Sequence, residues 1–113
     1  MLARILLATL VLTALPVFSA YAETVALVSH EVKDFDAWKK GFDGDKANRK
    51  KAGLKDLFVV RDAEKPNLVH LGFSAASADK IKAFMDNPKL KEIMDKAGVI
   101  SKPEVKMGEL VKK

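Results

Sequence analysis

Two histidines, His30 and His70, are the residues of this chain best suited to chemistry, and there is no cysteine to compete with them. Imidazole titrates near neutral pH, so a pair of them can work as a general base with an orienting partner. The same pair could also serve as metal or haem ligands, although a closed zinc or copper site needs a third or fourth ligand. The plainer reading is two polar side chains that line a cavity or bond to backbone. Trp38, the one tryptophan, and Arg61 are the candidate ligand contacts. A guanidinium at Arg61 can capture an anion, or simply pair with the adjacent Asp62. Met85 and Met94 read as core filler rather than as metal ligands.

Whether the histidines meet depends on the elements that carry them. Thr24 to Val32 alternates and is rich in valine, the pattern of a first strand. Asp34 is a good N-cap, and Phe35, Trp38 and Phe42 then fall at i, i+3 and i+7 on one helical stripe. Core packing is therefore the simplest role for Trp38. Gly41 and Gly44 weaken this helix, which should loosen near Gly44 and end at Gly53. Leu54 to Val60 and Leu68 to Phe73 read as a hairpin, with Pro66 and Asn67 marking its turn. Ser77 is the expected cap of a second helix, which Asn87-Pro88 restarts and Gly98 closes. Val105 to Val111 supplies the last strand. The order β-α-β-β-α-β is that of a ferredoxin-like α+β unit, with two helices on one face of a four-stranded antiparallel sheet.

Strands one and three are central neighbours in this topology. Val69, Leu71 and Phe73 suit the helix side of strand three, which leaves Leu68, His70, Gly72 and Ser74 on the other face. On strand one, Val25, Leu27, Ser29 and Glu31 are assigned to the helix side. That parity sets His30 on the same face as His70, within reach across the sheet. Met107 and Glu109 on the last strand would face away from the pair, so metal ligation gains no further ligand.

The ends and composition add a compartment. Arg4, an apolar run from Ile5 to Leu15, Pro16 and the small residues of Ala20-Tyr21-Ala22 have the layout of a secretory signal peptide over residues 1–22. The run is shorter than the ~20 residues that span a bilayer, so no membrane anchor is expected after cleavage. The mature domain would be residues 23–113, periplasmic or secreted. Its 20 basic residues less Arg4, against 15 acidic ones, give a net charge of +4. Aromatic residues are not interleaved with the lysines on a strand, so nucleic acid is not an expected partner. A domain this small buries only about 60–65% of its unfolded surface. With no disulfide to brace it, a homodimer is the expected remedy.

Several stretches carry a family resemblance: His30-Glu-Val-Lys-Asp-Phe-Asp-Ala-Trp38 with Phe42, Arg49-Lys-Lys-Ala-Gly53, Val60-Arg-Asp-Ala-Glu-Lys-Pro-Asn67, Lys96-Ala-Gly-Val99 and Pro103. The pattern resembles the dimeric α/β-barrel superfamily, and more narrowly its antibiotic-biosynthesis-monooxygenase-like and stress-responsive members. The resemblance spans essentially the whole mature chain. It implies two ferredoxin-like units packed sheet to sheet, with a cavity in each subunit. The superfamily includes cofactor-free oxygenases, haem-degrading enzymes, haem peroxidases and cyclases, so it leaves the cofactor unknown. The Asn/Trp/Arg or Tyr set of the oxygenases and the Asn/Trp/His set of the haem degraders do not map here. Asn48, Asn67 and Asn87 fall at a helix end, a turn and a cap, and Trp38 lies on the first helix. The expectation is an exported barrel protein whose cavity holds His30 and His70 and takes an apolar or aromatic ligand. If it is an enzyme, its chemistry would be monooxygenase-like or cyclase-like acid–base work. The alternative is a carrier of haem, metal or another ligand, or a stress-related interaction module.

Overall fold

A computed structural model describes residues 23–112, so the expected signal peptide lies outside the described residues. The elements in chain order are β1 (Thr24–Glu31), α1 (Phe35–Gly44), α2 (Lys46–Lys51), β2 (Lys55–Arg61), β3 (Leu68–Ala75), α3 (Ala78–Met85), α4 (Pro88–Ala97) and β4 (Glu104–Glu109). The strands pair in the order β2-β3-β1-β4, all antiparallel, and the helices cover one face. This is the ferredoxin-like α+β unit expected from the sequence, with β1 and β3 at the centre.

Local chemistry explains where the helices start and stop. Asp34 accepts a hydrogen bond from the Ala37 backbone N–H at 2.9 Å, capping α1. The expected loosening near Gly44 is a break, and α2 starts anew after Asp45. Asn87 caps α4 through the Lys89 N–H, with Pro88 in the first turn. Gly53 and Gly98 close their helices at positive φ, 86° and 87°, which side chains with a Cβ resist. Ser77 sits at the start of α3 in extended backbone, but its hydroxyl makes no capping bond.

The core lies between sheet and helices and includes Ala26, Val28, Trp38, Val69, Leu71, Phe73 and Ile81. For β3 the expected faces hold. For β1 they are reversed: Ala26, Val28 and His30 are buried under the helices, while Leu27 and Glu31 are exposed. Hydrophobicity alone misassigned this strand because both of its faces carry apolar side chains. Size decides between them. The small Ala26 and Val28 leave room beneath the rings of Trp38 and Phe42, and His30 packs edge-on against Trp38. Leu27 instead lies opposite Gly72 on the uncovered face.

That uncovered face is shaped by one irregularity. The β2–β3 register shifts between Asp56 and Phe58, a bulge that leaves Asp56 beside Arg49 on the helix side and turns Phe58 and Val60 outward. The Phe58 ring then lies across Gly72, where an added Cβ would collide with it. Leu27, Phe58 and Val60 are consequently exposed apolar residues on one face.

Candidate ligand-binding site

Between β1, β3 and helices α1, α3 and α4 lies a narrow cavity of about 60 Å³. Val28, His30, Trp38, Phe42, Leu71 and Met94 are among its walls. Apart from His30 the surfaces that close it are chiefly apolar, so a polar atom here has an energetic cost unless something bonds to it. The His30 side chain is held from both sides. β1 fixes its backbone, and the Trp38 ring meets the imidazole edge-on at 5.5 Å between centroids. Its Nδ1 is buried without a hydrogen-bond partner. Burial pushes the His30 pKa below the ordinary 6.5, so the ring is neutral at neutral pH. A neutral imidazole with a free nitrogen can accept a proton or a hydrogen bond from a ligand, or donate one, according to its tautomer.

Trp38 is 3% exposed and stacks on Phe42 at 5.0 Å, so it is both core residue and cavity wall. The cavity wall also extends further than the sequence reading took it. Arg49, seven residues beyond Phe42 and across the break into α2, is 3% exposed and lines the cavity. Its Nε and Nη2 donate to both carboxylate oxygens of Asp56 at 2.8 and 3.0 Å, and its Nη1 donates to the Phe42 carbonyl at 2.7 Å. The guanidinium also covers the Phe42 ring at 3.7 Å. Sequence reasoning missed this role because Arg49 stands in a basic run, Arg49-Lys-Lys. Its seven-residue spacing from Phe42 was the available signal.

His70 is not in this cavity. The two histidines are one ladder position out of step: His30 faces Val69 and His70 faces Ser29, so their side chains leave opposite faces of the sheet. The expected histidine pair is therefore not formed. On the uncovered face Ser29 Oγ lies 2.8 Å from His70 Nδ1, and His70 Nε2 lies 2.9 Å from Asp62 Oδ1. Asp62 is fixed in turn by the Glu64 and Lys65 backbone N–H groups, which donate to its other oxygen. The His70 hydrogen bond, then those two N–H groups, hold the Asp62 pKa down to about 2. Its carboxylate thus accepts from Nε2–H, which leaves Nδ1 to accept from the Ser29 hydroxyl. The order serine–imidazole–carboxylate is that of a nucleophile, its base and an orienting group. Ser29, however, lies on a strand paired on both sides, so its backbone amide is committed to the ladder and offers nothing to a developing oxyanion. The arrangement is a polar tie across the sheet.

Arg61 forms no ion pair with Asp62. Its Nε donates to the Pro66 carbonyl at 2.7 Å, and its guanidinium lies 4.4 Å from the centre of the Phe35 ring. It thereby pins the β2–β3 hairpin to the start of α1 rather than facing the cavity. Among the described residues no group of three or more His, Asp or Glu side chains is arranged to hold a metal ion.

No protein-family model matches this chain, and no curated protein matches it. Solved structures do. A candidate antibiotic biosynthesis monooxygenase from Bordetella bronchiseptica superposes with a TM-score of 0.65 at 15% identity, over 77% of this chain and 95% of its own. One from Caulobacter crescentus gives 0.63 at 14%, over 80% and 92%. A NIPSNAP family protein of unknown function from Agrobacterium tumefaciens gives 0.56 at 13%, over 77% and 86%. The fold is theirs, and it is the ferredoxin-like α+β fold that the sequence implied. At these identities the likeness extends to the fold alone.

Proposed function

We propose that this chain is an exported, homodimeric barrel protein that takes a small apolar ligand into the His30–Trp38 cavity, with His30 as the polar contact. The observation that carries the reading is the buried, unpartnered Nδ1 of His30 in a cavity whose walls are chiefly apolar. Leaving such an atom without a partner costs about 1–3 kcal/mol. A ligand hydroxyl, or an acidic C–H or O–H, would recover that cost. The same neutral imidazole is poised as a base, so the site suits acid–base chemistry on whatever it holds. The fold neighbours include proteins described as candidate monooxygenases, which accords with a small-molecule cavity in this architecture. A slender group suits the cavity better than a haem macrocycle, which needs far more room. The exposed Leu27, Phe58 and Val60 support a second copy of the chain as the cover of the open face.

Trp38 makes the test direct. It is the one tryptophan, it lines the cavity, and the one tyrosine, Tyr21, lies in the expected leader. Titration with octan-1-ol should change Trp38 fluorescence saturably. His30→Leu, which keeps the volume and removes the hydrogen bond, should weaken binding about tenfold. Affinity equal in the two proteins would remove His30 from the site. A mature chain that sediments as a monomer at micromolar concentration would end the dimer reading.

A further inference from the structure

The cavity is not isolated. Asp45, Phe84, Leu90 and Ile93 line it and also line a larger open groove of about 430 Å³ between α2 and the α3–α4 turn. The groove differs from the cavity in charge. Lys51, Lys80 and Lys89 converge on it from three separate helices. None of the three is in an ion pair among the described residues. The start of α4, at Asn87 and Lys89, opens into the same groove and adds the positive end of a helix dipole. One acid stands against them: Asp45, whose Oδ1 accepts a bond from the Asn48 amide.

The cavity itself holds no unpaired positive charge. His30 is neutral, and the Arg49 guanidinium is neutralised by its two bonds to Asp56 and held by a third to the Phe42 carbonyl. A ligand that carries a negative charge must therefore leave that charge at the mouth. We infer that the ligand is an amphipathic anion: a slender apolar chain in the His30–Trp38 cavity, with its carboxylate among Lys51, Lys80 and Lys89. Long lysine stems let the three ammonium groups close on one head group from different helices. This assignment rests on the cavity reading and adds the chemical class of what fills it.

The experiment compares octanoate with octan-1-ol, which share a chain and differ in charge, by Trp38 fluorescence at neutral pH in low and high salt. Octanoate should bind at least about fivefold more tightly in low salt, and the gap should shrink as salt is added. The combined variant Lys51→Gln, Lys80→Gln, Lys89→Gln should lose the preference and keep its affinity for octanol. A charge-matched control at Lys33, Lys65 and Lys102 should retain it. Equal affinity for the two probes in the unmodified protein, or a preference that survives the groove substitutions, overturns the anion assignment and leaves the cavity reading standing. If neither probe perturbs Trp38, the cavity reading falls and this inference falls with it.

Discussion

The two faces of the sheet treat the same side chain in opposite ways. On the helix side His30 is 4% exposed, faces an aromatic ring and has a buried nitrogen with no partner. On the open side the His70 side chain is 35% exposed and has both nitrogens engaged, by Ser29 and Asp62. The histidine that looks more like catalytic machinery is thus the satisfied one, and its bonds explain its presence. The histidine that looks like core carries the unmet bonding capacity. In a fold built on one layer of helices, the dry face supplies stability and encloses a cavity, and the wet face carries polar ties beside an exposed apolar patch.

The largest effect should come from Trp38→Ala. Truncating a buried aromatic residue costs about 3–5 kcal/mol, and domains of this kind have only about 5–15 kcal/mol in all. Denaturant unfolding should show most of the stability gone. Phe58→Asp on the open face should instead leave the fold intact and shift sedimentation toward monomer. If the two variants destabilised equally, the division of labour between the faces would not hold. Arg49→Leu comes next, at about 1–3 kcal/mol, because it leaves Asp56 without its bidentate partner. Asp56 is partly solvated, which keeps the loss below that of a fully buried pair.

How far this division could be read in advance depends on the element. Asp34, Asn87-Pro88, Gly53 and Gly98 act locally, so the helix ends followed from residue types alone. The helix face of β3 also followed, because Val69, Leu71 and Phe73 are uniformly apolar against a mixed set. On β1 the two sets are nearly balanced, and the choice is made by the volume available beneath Trp38 and Phe42, a tertiary quantity. The bulge at Asp56–Phe58 likewise has no local signature, yet it decides that Phe58 and Val60 face outward. The resemblance implied a cavity in each subunit without saying which residues line it, and pairing His30 with His70 there inherited the parity error on β1.

Acid titration separates the faces further. The folded-state pKa of His30 is depressed, so its contribution to stability is complete above the unfolded value near 6.5 and is lost as pH falls toward the folded value. Below neutrality the unfolded chain takes up the proton that the buried ring refuses. Stability followed by chemical denaturation should therefore decline below about pH 6.5, and His30→Leu should flatten that decline. Asp62 acts in a lower window. Its folded pKa of about 2 lies below the usual 3.8, so its contribution is present above that value and is lost as pH falls through 2. Asp62→Asn should remove the acid-end loss and leave the one near neutrality untouched. One slope belongs to the dry face and the other to the wet face, and a single substitution that abolished both would show that the faces are coupled.

The smallest effect should be that of Ser29→Ala, and it tests the open face most sharply. The variant removes one hydroxyl that donates to His70 Nδ1, at a cost of about 0.5–1.5 kcal/mol. Asp62, not Ser29, sets the tautomer, since its ionised carboxylate holds the proton on Nε2. Imidazole nitrogen chemical shifts should therefore report the same Nε2–H form with and without the Ser29 hydroxyl, and a mixture of tautomers in Asp62→Ala. Octanol binding on the opposite face should be equal in Ser29→Ala and the unmodified chain, because the hydroxyl and the cavity share no side-chain partner. A weaker octanol affinity in Ser29→Ala would mean that the serine–histidine tie positions β1 for His30, so that the open face takes part in ligand binding through the strand they share.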